Sequence, residues 1–243
     1  MSDALAAVQA LTGGAKPAAG KGASKPAAQA ASSAAPTDVP TGGAAAAAGG
    51  GGGGGGVPIV FVLGGPGAGK TEVCTKLVDW NPSCSYFAAG DLIRDEVKKG
   101  TEQGRSIAEM IKEGKIVPTQ VTIDLFKQAM AGATGPVLIE GFPRSIDNLA
   151  TFEEQCGPCA ALLFIDVPEE KMQERCLARS QGLGRTDDTA ETVARRVRTF
   201  KNQSLPVVDE LSTRGLLKKV DGSGDIDAVV NGAIDAISSI APK

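Results

Sequence analysis

The chain has no histidine among its 243 residues. That absence excludes imidazole acid–base catalysis and imidazole metal ligation. It leaves arginine, lysine, carboxylates and a bound metal to carry any chemistry. No apolar run is long enough to span a membrane. No continuous apolar stretch near the start matches the core of a secretory signal. The first 56 residues contain no aromatic residue and no arginine, and no periodic apolar face follows Leu11. Organelle transit peptides are rich in arginine and serine, whereas this segment has lysines alone and Asp3 close to its start. The expected compartment is therefore the cytoplasm, with the nucleus as another candidate and an organelle address the less favoured alternative.

What the first 56 residues do have is alanine, glycine, proline, serine and lysine, ending in eight consecutive glycines, Gly49 to Gly56. Such a composition cannot bury enough surface to offset the entropy of ordering. Residues 1–56 are expected to be a disordered tail with the glycine run as a flexible joint. A helix over Asp3–Leu11 is marginal in isolation. Residues 57–243 have the length of one domain. The tail's three lysines and two aspartates give it +1, so the rest of the chain carries −4 of the total −3. A mildly acidic domain argues against nucleic-acid binding. Five cysteines, an odd number, suggest free thiols in a reducing compartment. Cys156-Gly157-Pro158-Cys159 has the spacing of a redox dithiol. It follows a helix-like stretch rather than opening one, so an ordinary turn is the expected reading and redox sensitivity the alternative.

Gly64-Gly65-Pro66-Gly67-Ala68-Gly69-Lys70-Thr71 carries the strongest signal. It follows the apolar run Pro58–Leu63 and precedes a helical pattern, which is the strand–loop–helix context of a phosphate-binding P-loop. Glycines let the backbone wrap closely around a phosphate, and the helix N-terminus favours the anion. Lys70 can then place its charge on the β- and γ-phosphates.

Strands are expected at Ile59–Leu63, Ser85–Ala88, Val137–Glu140, Ala161–Ile165 and Leu217–Val220. Helical patterns lie at about 71–79, 91–99, 103–113, 119–131, 146–155, 169–179, 189–214 and 225–239. Asp188 and Glu191 resemble a capping box opening the long 189–214 helix, which Pro206 should kink. Alternating strands and helices predict an α/β fold, a parallel sheet covered on both faces in three layers. Four further segments narrow the function. They are Ala89-Gly90-Asp91-Leu92-Ile93-Arg94, Gly114-Lys115-Ile116-Val117-Pro118, Ile139-Glu140-Gly141-Phe142-Pro143-Arg144 with Asn148, and Arg179 followed by Arg185 and Arg196. Phosphoryl transfer needs such an array, because two anionic substrates must meet while charge spreads over the moving group. Arginine's planar fork suits that task.

On these segments the chain from about Pro58 to Pro242 resembles the short-lid nucleoside monophosphate kinases, the group of adenylate and UMP-CMP kinases. The resemblance implies a five-stranded parallel P-loop fold with a helical monophosphate-binding insert at about 90–120 and a short lid at about 180–189. It implies that Gly65, Pro66, Gly67, Ala68, Gly69, Lys70, Thr71 and Arg179 bind ATP. Ala89, Arg94, Lys115, Ile116, Val117, Gly141, Arg144 and Asn148 would bind the monophosphate. Lys70, Arg144, Arg185 and Arg196 would be catalytic. Thr71 and Glu140 would hold Mg2+, Glu140 through water. Ala89 and Asn148 stand where adenylate kinases usually have threonine and glutamine, which points to UMP or CMP over AMP. The protein is expected to be monomeric. The chain departs from the family at Thr71-Glu72, where it usually reads Gly-Thr, at Glu140, where it has aspartate, and at Ala88, where serine is common. Glu72 would repel the donor unless it turns away, and Glu140 adds a methylene. A catalytically impaired nucleotide-binding protein is therefore the alternative of another class, with a P-loop GTPase or ATPase motor a further one.

Overall fold

The computed structural model describes residues 56–112, 117–182 and 189–242, without the side chains of 111, 112 and 179–182. The proposed tail, except Gly56, lies outside the described residues. So do Lys115, Ile116, Asp188, Arg185, residues 183–188 of the proposed lid, and the side chain of Arg179.

Five strands form one sheet: β1 (Ile59–Gly64), β2 (Ser85–Ala88), β3 (Val137–Glu140), β4 (Ala161–Asp166) and β5 (Leu217–Asp221). Their order is β2-β3-β1-β4-β5, and every pairing is parallel. All five stand where the sequence predicts them, within a residue. The two inner neighbours explain the composition. Residues 59–63 and 161–165 are wholly buried, as continuous apolar runs in a doubly covered sheet should be. Helices α1 (Lys70–Trp80) and α9 (Ile226–Ile237) pack on each other and cover one face. Helices α4 (Thr119–Met130), α5 (Ile146–Cys156) and α8 (Leu205–Thr213) line the opposite face.

Beneath that second layer, Phe61, Phe126, Phe142 and Phe152 form a ring cluster. Its centroids lie 5.2 Å apart for Phe61–Phe152 and Phe126–Phe142, and 5.6 Å for Phe142–Phe152. Phe142 is buried, so its ring pins the Gly141–Arg144 turn after β3 to the core. Helices α2 (Ala89–Lys99) and α3 (Glu102–Lys112) meet α4 in a smaller apolar cluster of Ile93, Ile107 and Leu125, one from each. The corner between them is tight. A Cβ on Gly104 would lie 2.2 Å from the Glu96 carbonyl oxygen, so only glycine fits. Buried Glu96 accepts from Thr101 Oγ1 and Lys99 Nζ, and Thr101 Oγ1 accepts from the Gly104 N–H at 2.9 Å.

The long helix expected over 189–214 is not continuous. It divides into α7 (Ala190–Thr199), a π turn (Phe200–Ser204) and α8. Pro206 lies in the first turn of α8, where its missing N–H costs nothing. The Leu205 N–H reaches back five residues to Phe200 O, so a widened π turn precedes Pro206 in the expected helix. The cap of α7 is Thr189, whose hydroxyl accepts from the Thr192 N–H at 3.2 Å, one residue beyond the capping box read from Asp188. Helix α2 starts two residues earlier than predicted, so Ala89 and Gly90 belong to its first turn. Cys156 ends α5 and Gly157 follows it with φ 92°, so the Cys-Gly-Pro-Cys segment is the turn expected. Both thiols are free. Burial raises their pKa values, Cys159 to about 11, opposite to an activated dithiol.

Candidate active site

β1 ends at Gly64 and α1 begins at Lys70, with the phosphate-binding loop between them. The loop must be glycine-rich for packing as well as for ligand approach. A Cβ on Gly65 would lie 2.3 Å from Met172 Sδ, and Gly67, with φ 74°, lies against α6 (Glu169–Gly182). Gly69 caps α1 in the left-handed region at φ 82° and offers no side-chain acceptor. The first N–H groups of α1 therefore keep their capacity to bind an anion. Lys70 Nζ donates to Gly64 O at 3.0 Å and to Gly65 O at 2.9 Å, which holds the ammonium over the loop. Burial lowers its pKa, and the Glu140 carboxylate opposes that shift.

Glu140 ends β3 between Ala88 of β2 and Val62 of β1 in the register. Thr71 Oγ1 lies 3.0 and 3.1 Å from its two carboxylate oxygens and donates to them. The Tyr86 hydroxyl, from β2, also donates to Oε2. Burial and the Glu140 charge both raise the Tyr86 pKa, which keeps its proton in place as a donor. Thr71 and Glu140 are thus brought together, as a shared metal role requires. Glu72 is exposed in the first turn of α1, a position where the helix dipole favours an acid.

Arg144 Nε donates to Gly141 O at 3.0 Å, and the Arg144 N–H donates to Asn148 Oδ1 at 3.2 Å. Protein groups crowding the Arg144 guanidinium lower its pKa. Glu140 counters this, and Arg196 adds to it. Arg144 keeps contact with solvent, and water screening keeps the guanidinium charged. Lys70 and Arg144 therefore both feel the one carboxylate of Glu140, and Arg196 lies within electrostatic reach of Arg144. Arg94 pairs with Asp91 within the first turns of α2, its side chain largely covered. Ala89 is buried at the start of α2, and Val117 packs against the Ile93–Ile107–Leu125 cluster. Asn148 Nδ2 donates to Thr119 Oγ1 at 2.8 Å.

Four contributors were not found in the sequence. Tyr86 lies one pleat repeat before Ala88, but only the adjacency of β2 and β3 shows that it meets Glu140. Thr119, at the start of α4, meets Asn148 across two helices. Arg175 donates to Gly222 O at 2.8 Å and to Gly224 O at 3.3 Å, while Lys171 Nζ donates to Ser223 O at 2.8 Å. These two residues tie the turn after β5 to α6, the helix that packs on the phosphate-binding loop. A separate cavity of about 420 Å3, bordered by Phe164, Met172, Phe200 and Val208, includes none of the site residues expected from the sequence.

The adenylate kinase family model matches residues 62–216. The chain is 44% identical over 176 residues to UMP-CMP kinase 3 of Oryza sativa subsp. japonica, covering 71% of this chain and 82% of that protein. It is 43% identical over 174 residues to UMP-CMP kinase 3 of Arabidopsis thaliana, covering 70% of this chain and 84% of that one. It is 38% identical over 191 residues to adenylate kinase isoenzyme 1 of Caenorhabditis elegans, covering 75% of this chain and 90% of the relative.

Proposed function

This chain belongs to the adenylate kinase family, and we propose that it transfers the γ-phosphoryl group of ATP to UMP or CMP, yielding ADP and UDP or CDP. The observation that carries the reading is the placement of Lys70 over the glycine loop and of Arg144 beside the paired Thr71 and Glu140, at the carboxyl end of β1 and β3, with Arg196 within electrostatic reach of Arg144. In a parallel sheet of this kind, ligands bind at that end.

The loop amides of Gly65–Thr71 and the Lys70 ammonium hold the donor phosphates. Arg144 and Arg94 hold the acceptor phosphate, and Arg196 with Arg144 offsets the charge that spreads over the moving group. Arg185 joins them from the lid, and Arg179, Lys115 and Ile116 complete the two nucleotide pockets with Ala89, Val117 and Gly141. Asn148 reads the acceptor base. Closing the lid and insert excludes water, so the phosphoryl group reaches the monophosphate.

The hydroxyl of Thr71 and the carboxylate of Glu140 are hard oxygen donors within 3.1 Å of each other, a pair that fits Mg2+. Among the described residues no group of three or more Cys, Asp or Glu side chains clusters, so water and phosphate oxygens complete such a shell. Magnesium supplies charge neutralisation on the donor phosphates when bound.

The protein acts as a monomer in the cytoplasm. Among the described residues no helix is long and apolar enough to cross a membrane. The test is a coupled ADP-release assay with ATP, magnesium and UMP, CMP or AMP in turn. Turnover is expected to be highest with UMP or CMP. Preference for AMP would overturn the acceptor assignment. ATP binding without any acceptor-dependent turnover would favour a nucleotide-binding protein that has lost catalysis.

A further inference from the structure

Glu140 ends β3, and Ala88, its neighbour across on β2, has a side chain with no polar atom. Tyr86 stands two residues earlier on β2, opposite Leu138, and so on the same face of the sheet as Ala88. Its long side chain makes up the distance, and its hydroxyl donates to Glu140 Oε2. From α1, Thr71 Oγ1 lies 3.0 Å from Glu140 Oε1 and 3.1 Å from Oε2.

These two contacts do different things. Thr71 is almost equidistant from the two oxygens, so its one hydroxyl proton is shared across the carboxylate fork and does not tell them apart. Tyr86 meets Oε2 alone. A carboxylate has about four lone-pair sites, two on each oxygen. Among the described residues, the Thr71 proton fills the fork and the Tyr86 proton fills the outer site of Oε2. The outer site that remains is on Oε1, and Tyr86 is the contact that decides this.

Divalent cations ask different things of a carboxylate. Calcium takes about six to eight oxygens in loose geometry, and two of them can come from one carboxylate. Magnesium demands an octahedron, keeps several waters and needs fewer protein oxygens. A carboxylate with one outer site left suits the second ion. We propose that Tyr86 is a positioning residue that holds Glu140 as a one-oxygen group and thereby favours magnesium over calcium as the ion bound with the donor nucleotide. This preference rests on the assignment of Thr71 and Glu140 to the metal, and not on the identity of the acceptor. Without the Tyr86 hydroxyl the carboxylate is free to pivot about the Thr71 contact and turn both oxygens to one ion.

The test is calorimetric binding of ATP to the full chain and to its Tyr86→Phe variant, with magnesium, with calcium, and with a chelator in place of either. Binding is read without an acceptor, so the result does not depend on turnover. In the wild-type chain the magnesium complex is expected to bind about tenfold more tightly than the calcium complex, or better. In Tyr86→Phe that ratio should fall by about tenfold, the value of one hydrogen bond to a charged group, while ATP with chelator binds as it does to the wild type. A wild-type ratio within twofold of unity would overturn the proposal, whether or not the variant folds. So would a variant in which both metal complexes weaken by the same factor, since that is what lost packing alone predicts. A wild-type chain that binds ATP as well with chelator as with either metal would instead bring down the metal assignment itself, and this proposal with it.

Discussion

Removing the Tyr86 hydroxyl tests how Glu140 is held. In Tyr86→Phe the ring stays in place and only the donor to Glu140 Oε2 is lost. A hydrogen bond to a charged group contributes about 1.5–3 kcal/mol net. Tyr86 is half-buried, so solvent can partly replace the donor, and the lower end, about 1.5 kcal/mol, applies. Thr71 still donates to the carboxylate at 3.0 and 3.1 Å, so Glu140 is not orphaned and the larger penalty for an unpaired charge does not arise. For a domain of this size about 1 kcal/mol moves Tm by roughly 2–4 °C. The variant should therefore melt about 3–6 °C lower at pH 7, followed by circular dichroism. Its midpoint for magnesium activation should rise as well, because the carboxylate is less firmly aimed. A Tm within 1 °C of wild type, with an unchanged magnesium midpoint, would refute the reasoning and mean that Thr71 alone positions Glu140.

Two further expectations concern the α2–α3 corner. Gly104→Ala puts a methyl 2.2 Å from the Glu96 carbonyl oxygen. It should cost about 2 kcal/mol in urea unfolding. A variant as stable as wild type would show that the corner yields freely. The Glu96 carboxyl sits below its usual value of 4.5, first because Thr101 donates to it and then because of Lys99, against its burial. A depressed carboxyl contributes stability that is present above its unfolded value and is lost as pH falls through the folded one. Thr101→Val should therefore lower Tm by a constant amount from pH 7 down to about pH 5, and the gap should narrow below pH 4.5 to the share left by the lost Gly104 N–H contact, which does not titrate. A gap of constant size down to pH 3 would contradict the assignment to Glu96.

The parts of the fold that could be read in the sequence are those set by local pattern. The apolar run 59–63 before a glycine loop marked β1 and the phosphate site together, because one strand and one turn carry the whole signal. The other strands were bounded by glycine, proline and charged residues in the same way. The break at the π turn was not legible. Proline predicts that a helix is disturbed but not that the disturbance is a π turn, whose first residue, Phe200, stacks on Phe164 from β4. The cap at Thr189 was missed because Asp188 and Thr189 are both good caps, and only the backbone decides between them. In the site, residues drawn from single motifs were legible one by one. The links between motifs were not: Tyr86 with Glu140 needs the sheet order, and Thr119 with Asn148 needs the packing of α4 on α5.

The phosphoryl group is expected to pass to a pyrimidine monophosphate and not to water. The most direct measurement follows label from γ-labelled ATP with magnesium in the presence of UMP or CMP, separating the products. Label is expected in UDP or CDP in step with the ADP formed, with little in inorganic phosphate. Label that accumulates as inorganic phosphate at the same rate with or without the acceptor would contradict it.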